Sequence, residues 1–169
     1  VCICFRGKDE VCWGKRLGVK KESIVFLGDG TLNERKGEID RVKGIANVAG
    51  DSVVGCVGGS GGGYSRQLNE FKSTLSDELQ KKIFFIASQV NIGDAYNAAD
   101  VFVCCSRNES YARVILEAME CGLRIISKPV YGISEQLEFG VNALEYSPGD
   151  VDKLSQNIQL CPDDSALRK

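Results

Sequence analysis

The sequence predicts an α/β domain in which helices cover both faces of a parallel sheet of about six strands. Short apolar runs recur along the chain, longer amphipathic segments separate them, and turn-forming residues mark the boundaries. The apolar runs are continuous rather than alternating, which is typical of strands buried on both faces of a parallel sheet. A strand followed by a helix, repeated along the chain, indicates a doubly wound fold.

The six β-α units are predicted in chain order. The strands are the short apolar runs at 24–27, 53–57, 83–87, 101–105, 124–127 and 143–146. The helices are the amphipathic segments at 38–48, 64–80, 92–99, 111–121, 134–139 and 151–160. Gly122 follows the fourth helix as a C-terminal cap, and Asp150 precedes the last as an N-cap. Six strands wound in this way commonly take the Rossmann-like order 3-2-1-4-5-6.

Length and composition favour one folded domain. The chain has 169 residues, of which 43% are apolar, so it can bury a sizeable core. Residues 1–20 are charged or short of periodicity and are predicted to be a lead-in, whereas residues 21–169 form the domain.

Charge and composition exclude several function classes. The formal net charge is −2, which gives no general electrostatic reason to bind nucleic acid. The chain has no histidine, so imidazole general-base chemistry and histidine-ligated zinc are excluded within it. The longest apolar runs fall well short of the 18 or so residues that a spanning helix needs.

The eight cysteines are predicted to be reduced core thiols of a cytoplasmic protein. Cys56, Cys104 and Cys105 lie in strand-like runs and Cys121 lies at the end of a helical pattern, where cysteine acts as a small apolar residue. The spacing C-x-x-C is absent, so neither a zinc ribbon nor a thioredoxin motif is present.

A ligand site is expected where the winding reverses, at the carboxyl ends of strands one and four. The loop after strand one begins at Gly28, where the backbone must turn or approach a ligand, and carries Arg35 and Lys36. The loop after strand four carries Glu109 at a helix start. These residues suit a phosphate near Lys36 and a polar ligand near Glu109.

A dinucleotide enzyme is an alternative, since Gly28 and Gly30 begin a G-x-G-x-x-G pattern. Asn33 stands where the third glycine belongs, and Asp29 stands where a pyrophosphate would approach. The match to the dinucleotide-binding pattern is partial, so a nicotinamide-dependent enzyme is kept only as an alternative hypothesis.

Short sequence motifs around the loop after strand four, here called the second site loop, carry a family resemblance. They are AADVFV at 98–103, SRNE at 106–109, VILEAMECGL at 114–123 and GISE at 132–135, after IVFLG at 24–28 and ERKG at 34–37. In this order, and with Glu109 and Glu117 as an E-x7-E pair, they resemble the carboxyl-terminal domain of retaining GT-B glycosyltransferases (glycosyl transferases group 1, or family 4-like). The resemblance runs from about residue 15 to 160 and implies half of a GT-B fold.

The resemblance implies a nucleoside-diphosphate sugar as donor, with a role for each matching residue. Glu109 and Lys36 would be the catalytic pair: Glu109 would bind sugar hydroxyls, and Lys36 would neutralise the diphosphate without a metal ion or further cofactor. Glu117 would hold the ribose hydroxyls. The remaining donor contacts would come from Gly28, Arg35, Ser110, Tyr111, Ala112 and Arg113. Eight helical residues rise about 12 Å, comparable with the separation of sugar and ribose across a diphosphate.

The resemblance also implies partners outside this chain. A missing N-terminal domain, from which residues 1–20 would lead, would bring a glycan, lipid or other acceptor, and the full-length enzyme would associate peripherally with a membrane. Several positions depart from the family pattern, and at two of them Asp29 replaces an arginine and Ala112 replaces a glycine. They favour a second hypothesis, a noncatalytic scaffold domain that has lost donor affinity.

Overall fold

A parallel β-sheet forms the centre of the domain. The computed structural model describes residues 23–48, 52–58, 63–86 and 92–161. Its strands are β1 (Ile24–Asp29), β2 (Ser52–Val57), β3 (Ile83–Ile86), β4 (Val101–Cys104), β5 (Arg124–Ser127) and β6 (Ala143–Glu145). The predicted α/β class is confirmed, while the lead-in predicted for residues 1–20 lies outside the described residues.

The strand order is β3-β2-β1-β4-β5-β6, and the paired strands are parallel. The register sets Ile24 of β1 opposite Ser52 of β2, and Phe26 of β1 opposite Val101 of β4. The chain moves outward from β1 to β3, returns to the centre at β4, and then moves to the other edge. The winding therefore reverses between β1 and β4, as predicted.

Helices lie on both faces of this sheet. They are α1 (Glu38–Ala46), α2 (Gly63–Ser73), α3 (Asp77–Lys82), α4 (Gly93–Ala98), α5 (Arg113–Glu120) and α6 (Val151–Leu160), with 3₁₀ turns at Glu34–Lys36 and Tyr131–Ile133. One apolar cluster joins α4 and α5 to Leu27 and Phe102, and the other joins α1 and α6 to Phe26 and Val103. Neighbouring residues of one strand thus enter opposite clusters, since side chains alternate across a sheet.

The helix predicted over 64–80 is two helices, so this prediction was wrong in its continuity. The hydroxyl groups of Ser73 and Thr74 donate to the main-chain oxygens of Glu70 and Phe71, which closes the end of α2. Ser76 then caps α3, its hydroxyl accepting from the Leu79 N–H at 3.4 Å. Serine and threonine compete with the helix for backbone hydrogen bonds, and here three of them interrupt it.

The helix predicted over 134–139 was also wrong. The structure has the 3₁₀ turn Tyr131–Ile133 followed by further turns. The Asn142 side chain accepts the Glu138 N–H at 2.9 Å, and Gly140 has a φ of 85°. The segment between Gly132 and Gly140 is therefore too short and too sharply turned for an α-helix.

The cysteines behave only in part as predicted. Cys104, Cys105 and Cys161 are free and buried, as expected of core thiols. Cys121 is disulfide-bonded, so the prediction of reduced thiols is wrong at that position.

Within the described ranges, no helix combines the length and the apolar character needed to cross a bilayer.

Candidate functional site

The candidate site lies at the carboxyl edge of the sheet, in the crevice between β1 and β4. The loop after β1 and the loop after β4 face each other there because the winding diverges at these two strands. Gly37 allows the close approach: a Cβ at this position would lie 2.3 Å from the main-chain oxygen of Cys105. Its φ is 67°, a conformation that glycine adopts without strain.

Local hydrogen bonds hold Arg35 and Lys36 in place at this crevice. The Asn33 side chain accepts the Lys36 N–H at 3.1 Å and so caps the short 3₁₀ turn. The Arg107 N–H donates to the main-chain oxygen of Arg35 at 2.7 Å, which joins the two loops directly. The sequence did not predict this turn, although Asn33 is a residue type that commonly caps one.

Both cations converge on Glu109. The Lys36 ammonium donates to Glu109 Oε1, and the Arg35 guanidinium Nη1 lies 3.3 Å from the same oxygen. The Ser106 hydroxyl donates to this oxygen at 3.1 Å, and Arg35 also donates to the Asn108 main-chain oxygen at 2.9 Å. Glu109 is only 8% exposed, so its carboxylate is stabilised by charge-assisted hydrogen bonds in a largely water-excluded position.

The environment keeps Glu109 ionised. Burial alone would raise the pKa of this carboxyl, but the hydrogen bond and charge of Lys36, with Ser106 and Arg35, lower it below its usual value. The crevice therefore presents a carboxylate with two cations rather than a neutral acid. Such a group is suited to accepting hydrogen bonds from hydroxyls, not to donating a proton at neutral pH.

A second group of polar side chains surrounds Glu117. The buried Tyr96 hydroxyl of α4 lies 3.1 Å from Glu117 Oε2 of α5 and 3.2 Å from Asp29 Oδ2 at the end of β1. The structure therefore brings Asp29 and Glu117 together through Tyr96. Sequence reasoning placed Tyr96 only in a helix, and nothing in its apolar helical pattern distinguished it from a core residue.

The segment from Ser110 to Ala112 leads directly into α5, which begins at Arg113. The donor-cradle role of these residues stays a prediction. Ser110, Tyr111 and Arg113 are exposed, whereas Ala112 is buried. The Ala112 N–H donates to the Gln136 side chain at 3.0 Å, and the Gln136 amide donates back to the Ala112 oxygen at 3.2 Å. The N–H of Ala112 is thus already engaged within the protein.

Gly28 has a reason within the fold. A Cβ at Gly28 would lie 1.8 Å from the guanidinium carbon of Arg41. Arg41 is buried on α1, and its Nε donates to the Val103 oxygen at 3.1 Å. Gly28 therefore leaves room for Arg41 beside the sheet; the structure gives it this role whether or not it also contacts a ligand.

Gly132 holds the second site loop, and its replacement gives a testable prediction. Its N–H donates to the main-chain oxygen of Glu109 at 3.1 Å. A Cβ at Gly132 would lie 1.8 Å from the main-chain oxygen of Ser110. Gly132→Ala is expected to lower the free energy of unfolding by about 2 kcal/mol or more, because backbone must shift to remove the clash.

Urea denaturation measures this effect, with Gly63→Ala as the matched control. A Cβ at Gly63 meets nothing within 4 Å, so this change is expected to alter stability by no more than about 1 kcal/mol. Equal stabilities for the two variants would contradict the packing described for Gly132.

A cavity of about 230 Å³ lies near the ends of β2 and β3. Its lining comprises Leu32, Gly58, Ser65, Leu68, Asn69, Phe85 and Ile86. It contains none of the charged residues described above, so it is separate from the Lys36–Glu109 group.

The fold and crevice define a Rossmann-like α/β domain whose candidate site is built from cations and carboxylates. The family model for Glycosyl transferases group 1 matches residues 13–169. The chain therefore belongs to the Glycosyl transferases group 1 family.

Curated relatives agree with this assignment. The chain is 37% identical over 139 residues to D-inositol 3-phosphate glycosyltransferase of Streptosporangium roseum, covering 76% of this chain and 32% of that protein. It is 27% identical over 150 residues to the enzyme of the same name from Geodermatophilus obscurus, covering 83% and 33% respectively. The chain thus spans about a third of the length of these relatives.

Solved structures show the same fold. Anabaena Alr3699/HepE in complex with UDP-glucose superimposes with a TM-score of 0.84 at 26% identity, covering 92% of this chain and 43% of that one. WaaG, a glycosyltransferase involved in lipopolysaccharide biosynthesis, gives a TM-score of 0.82 at 18% identity, covering 97% and 44%, and shows the fold alone. The neighbours are GT-B glycosyltransferases, which favours this interpretation over the nicotinamide alternative.

Proposed function

We propose that this chain binds a nucleoside-diphosphate sugar and is the donor-binding part of a retaining glycosyltransferase that transfers a hexose to a glycan, lipid or other acceptor. The convergence of Arg35 and Lys36 on Glu109 is the observation that carries this proposal. Two cations suited to a diphosphate thus lie beside a carboxylate suited to sugar hydroxyls. Alr3699/HepE, a structural neighbour, was solved in complex with UDP-glucose.

Each group has a role that follows from its chemistry. Lys36 and Arg35 bind the diphosphate and stabilise the charge that grows on it as the glycosidic bond breaks, in place of a metal ion. Glu109 accepts hydrogen bonds from the hydroxyls of the transferred sugar. Glu117 accepts those of the ribose, because a carboxylate offers two oxygens to a vicinal diol.

Binding of the donor requires Lys36 to change partner. In the structure its ammonium is bonded to Glu109. A diphosphate that enters the crevice attracts this ammonium and leaves Glu109 free to accept sugar hydroxyls. The sugar and the diphosphate are therefore bound in one coupled exchange, which orients the anomeric carbon relative to the leaving group.

The remaining expectations concern the longer protein and stay predictions. They are an acceptor held by a further N-terminal domain, peripheral association with a membrane, and a cytoplasmic location. The assignment of Ser110, Tyr111, Ala112 and Arg113 to the donor cradle is likewise a proposal, with the N–H of Ala112 the least available of these groups.

Calorimetric titration of the 169-residue chain tests donor binding. UDP-glucose, GDP-glucose and ADP-glucose are compared, and saturable binding of at least one is expected. Glu117→Gln is expected to weaken it about tenfold through loss of a charged acceptor, whereas Glu120→Gln, on the exposed side of α5, is expected to leave it unchanged.

A noncatalytic scaffold domain is the second candidate, favoured by the acidic Asp29 beside the crevice and by the engaged N–H of Ala112. A folded sample that binds none of the three donors would support this candidate and overturn the first.

A further inference from the structure

Asp29, Tyr96 and Glu117 form a connected group that neither the family resemblance nor the proposed roles explain. The Tyr96 hydroxyl lies 3.2 Å from Asp29 Oδ2 and 3.1 Å from Glu117 Oε2. Tyr96 is only 1% exposed, and its ring stacks on Phe102 with centroids 5.7 Å apart, so the hydroxyl is held in place. A further contact of 3.4 Å reaches the main-chain oxygen of Val114.

With the three groups in their usual forms, there are too few protons for both short contacts to be hydrogen bonds. A phenol has one proton and donates it to one acceptor. With both carboxyls ionised, the Tyr96 oxygen would face a second carboxylate oxygen across about 3 Å with no hydrogen between them. Because Tyr96 is buried and both carboxyls are partly buried, such a contact is unfavourable. A second proton on one of the carboxyls turns both contacts into hydrogen bonds.

Asp29 is the carboxyl better placed to hold that proton. Burial raises its pKa, and the nearby Glu117 charge adds to this increase. The groups that oppose it are the Tyr96 hydrogen bond, the Gly30 N–H and the charge of Arg41, and together they do not cancel it. Three side chains act on Asp29 from three helices: Arg41 on α1, Tyr96 on α4 and Glu117 on α5.

We propose that protonated Asp29 donates a hydrogen bond to Tyr96, which donates its own hydrogen bond to Glu117, and that nucleoside-diphosphate binding depends on this proton chain. Tyr96 is then a positioning residue that fixes Glu117 toward a ribose. Because it is protonated, Asp29 adds no negative charge at the position where the resembling family has an arginine. The binding role rests on the proposed function.

The proton chain links ligand affinity to pH. A diphosphate near Asp29 adds negative potential and so raises the proton affinity of this carboxyl further. Above the pKa of Asp29 in the ligand-free protein, ligand binding must take up a proton from the buffer, and the affinity falls as the pH rises. In this range the loss approaches about tenfold per pH unit for one proton.

The first test measures proton uptake in the whole chain. UDP is titrated calorimetrically in buffers of different ionisation enthalpy from pH 5 to pH 8. Wild type is expected to take up as much as one proton more than Asp29→Asn, whose amide keeps the shape and donates to Tyr96 without titrating. The affinity of Asp29→Asn should show the weaker pH dependence, and Asp152→Asn, exposed on α6, should match wild type.

The second test separates positioning from general structural support. Tyr96→Phe is expected to weaken UDP binding about tenfold but to leave the binding of 2′,3′-dideoxy-UDP within about twofold, because only the ribose hydroxyls need an oriented Glu117. An equal loss for both ligands, or equal proton uptake by wild type and Asp29→Asn, would overturn the proposal.

A ligand-free measurement keeps this inference distinct from the proposed function. Infrared spectra of the chain labelled with ¹³C-aspartate are expected to show a protonated carboxylic acid that is absent in Asp29→Asn. If that band is present and no UDP binds, the donor function fails while the proton chain stands. If it is missing at every pH where the fold is intact, the proton chain fails.

Discussion

Lys36→Ala is expected to weaken UDP-glucose binding by about 100-fold or more, because the largely buried cation that we propose to bind the diphosphate is lost. Only 13% of the Lys36 side chain is exposed, compared with 50% for Arg35. The remaining cation is thus better hydrated and a weaker ligand for phosphate. Arg35→Ala is accordingly expected to have a smaller effect, about tenfold.

The same substitution changes Glu109. The hydrogen bond and charge of Lys36 are the main reasons that the pKa of this carboxyl is lowered. In Lys36→Ala the pKa is expected to rise, and residual binding should become more dependent on pH. Calorimetry from pH 4 to pH 7 measures both effects, with Lys81→Ala, exposed on α3, as a control that should behave as wild type. Unchanged affinity in Lys36→Ala would remove Lys36 from the donor site.

Lys128→Met is expected to lower the free energy of unfolding by about 3–5 kcal/mol, the usual result of leaving a buried charge without its partner. Lys128 is fully buried, and its ammonium donates to Asp40 Oδ2 and to the Cys105 oxygen, each at 3.0 Å. It also lies 5.3 Å from the centre of the Tyr146 ring. Arg107 also lies 3.9 Å from Asp40, but its side chain is about half exposed.

Urea denaturation measures this loss, and a second variant guards against simple failure to fold. Lys128→Met with Asp40→Asn removes both charges and is expected to recover part of the stability. If the double variant is no more stable than Lys128→Met, the buried ion pair is not the cause of the loss. A single variant as stable as wild type would show that the pair contributes nothing.

Much of the fold could be predicted because the strands are continuous apolar runs. Runs such as 101–105 are too short for helices and too apolar for an exposed sheet, so they indicate buried parallel strands. The helix over 64–80 was misjudged because an apolar period continues through Ser73, Thr74 and Ser76, whose side-chain hydrogen bonds end one helix and start another. Periodicity reports which faces are apolar and does not report these local bonds.

The site was predicted less completely than the fold. The topology placed Lys36 and Glu109 at the same edge of the sheet, and their contact follows from adjacent strands. Tyr96 could not be found in this way, because it reaches Asp29 and Glu117 from sequence positions 67 and 21 residues away. The position of the Tyr96 hydroxyl is determined by the packing of α4 against α5 and β1.

The contact between Lys36 and Glu109 has a consequence for selectivity among anions. The crevice carries its own counter-ion, so an incoming anion competes with a carboxylate already in place. Inorganic phosphate or sulfate can draw the ammonium away but offers little to the carboxylate left behind. A molecule that joins phosphates to a polyhydroxylated ring compensates both partners at once. On the proposed function, the ion pair therefore favours ligands that combine phosphate and hydroxyl groups over simple anions.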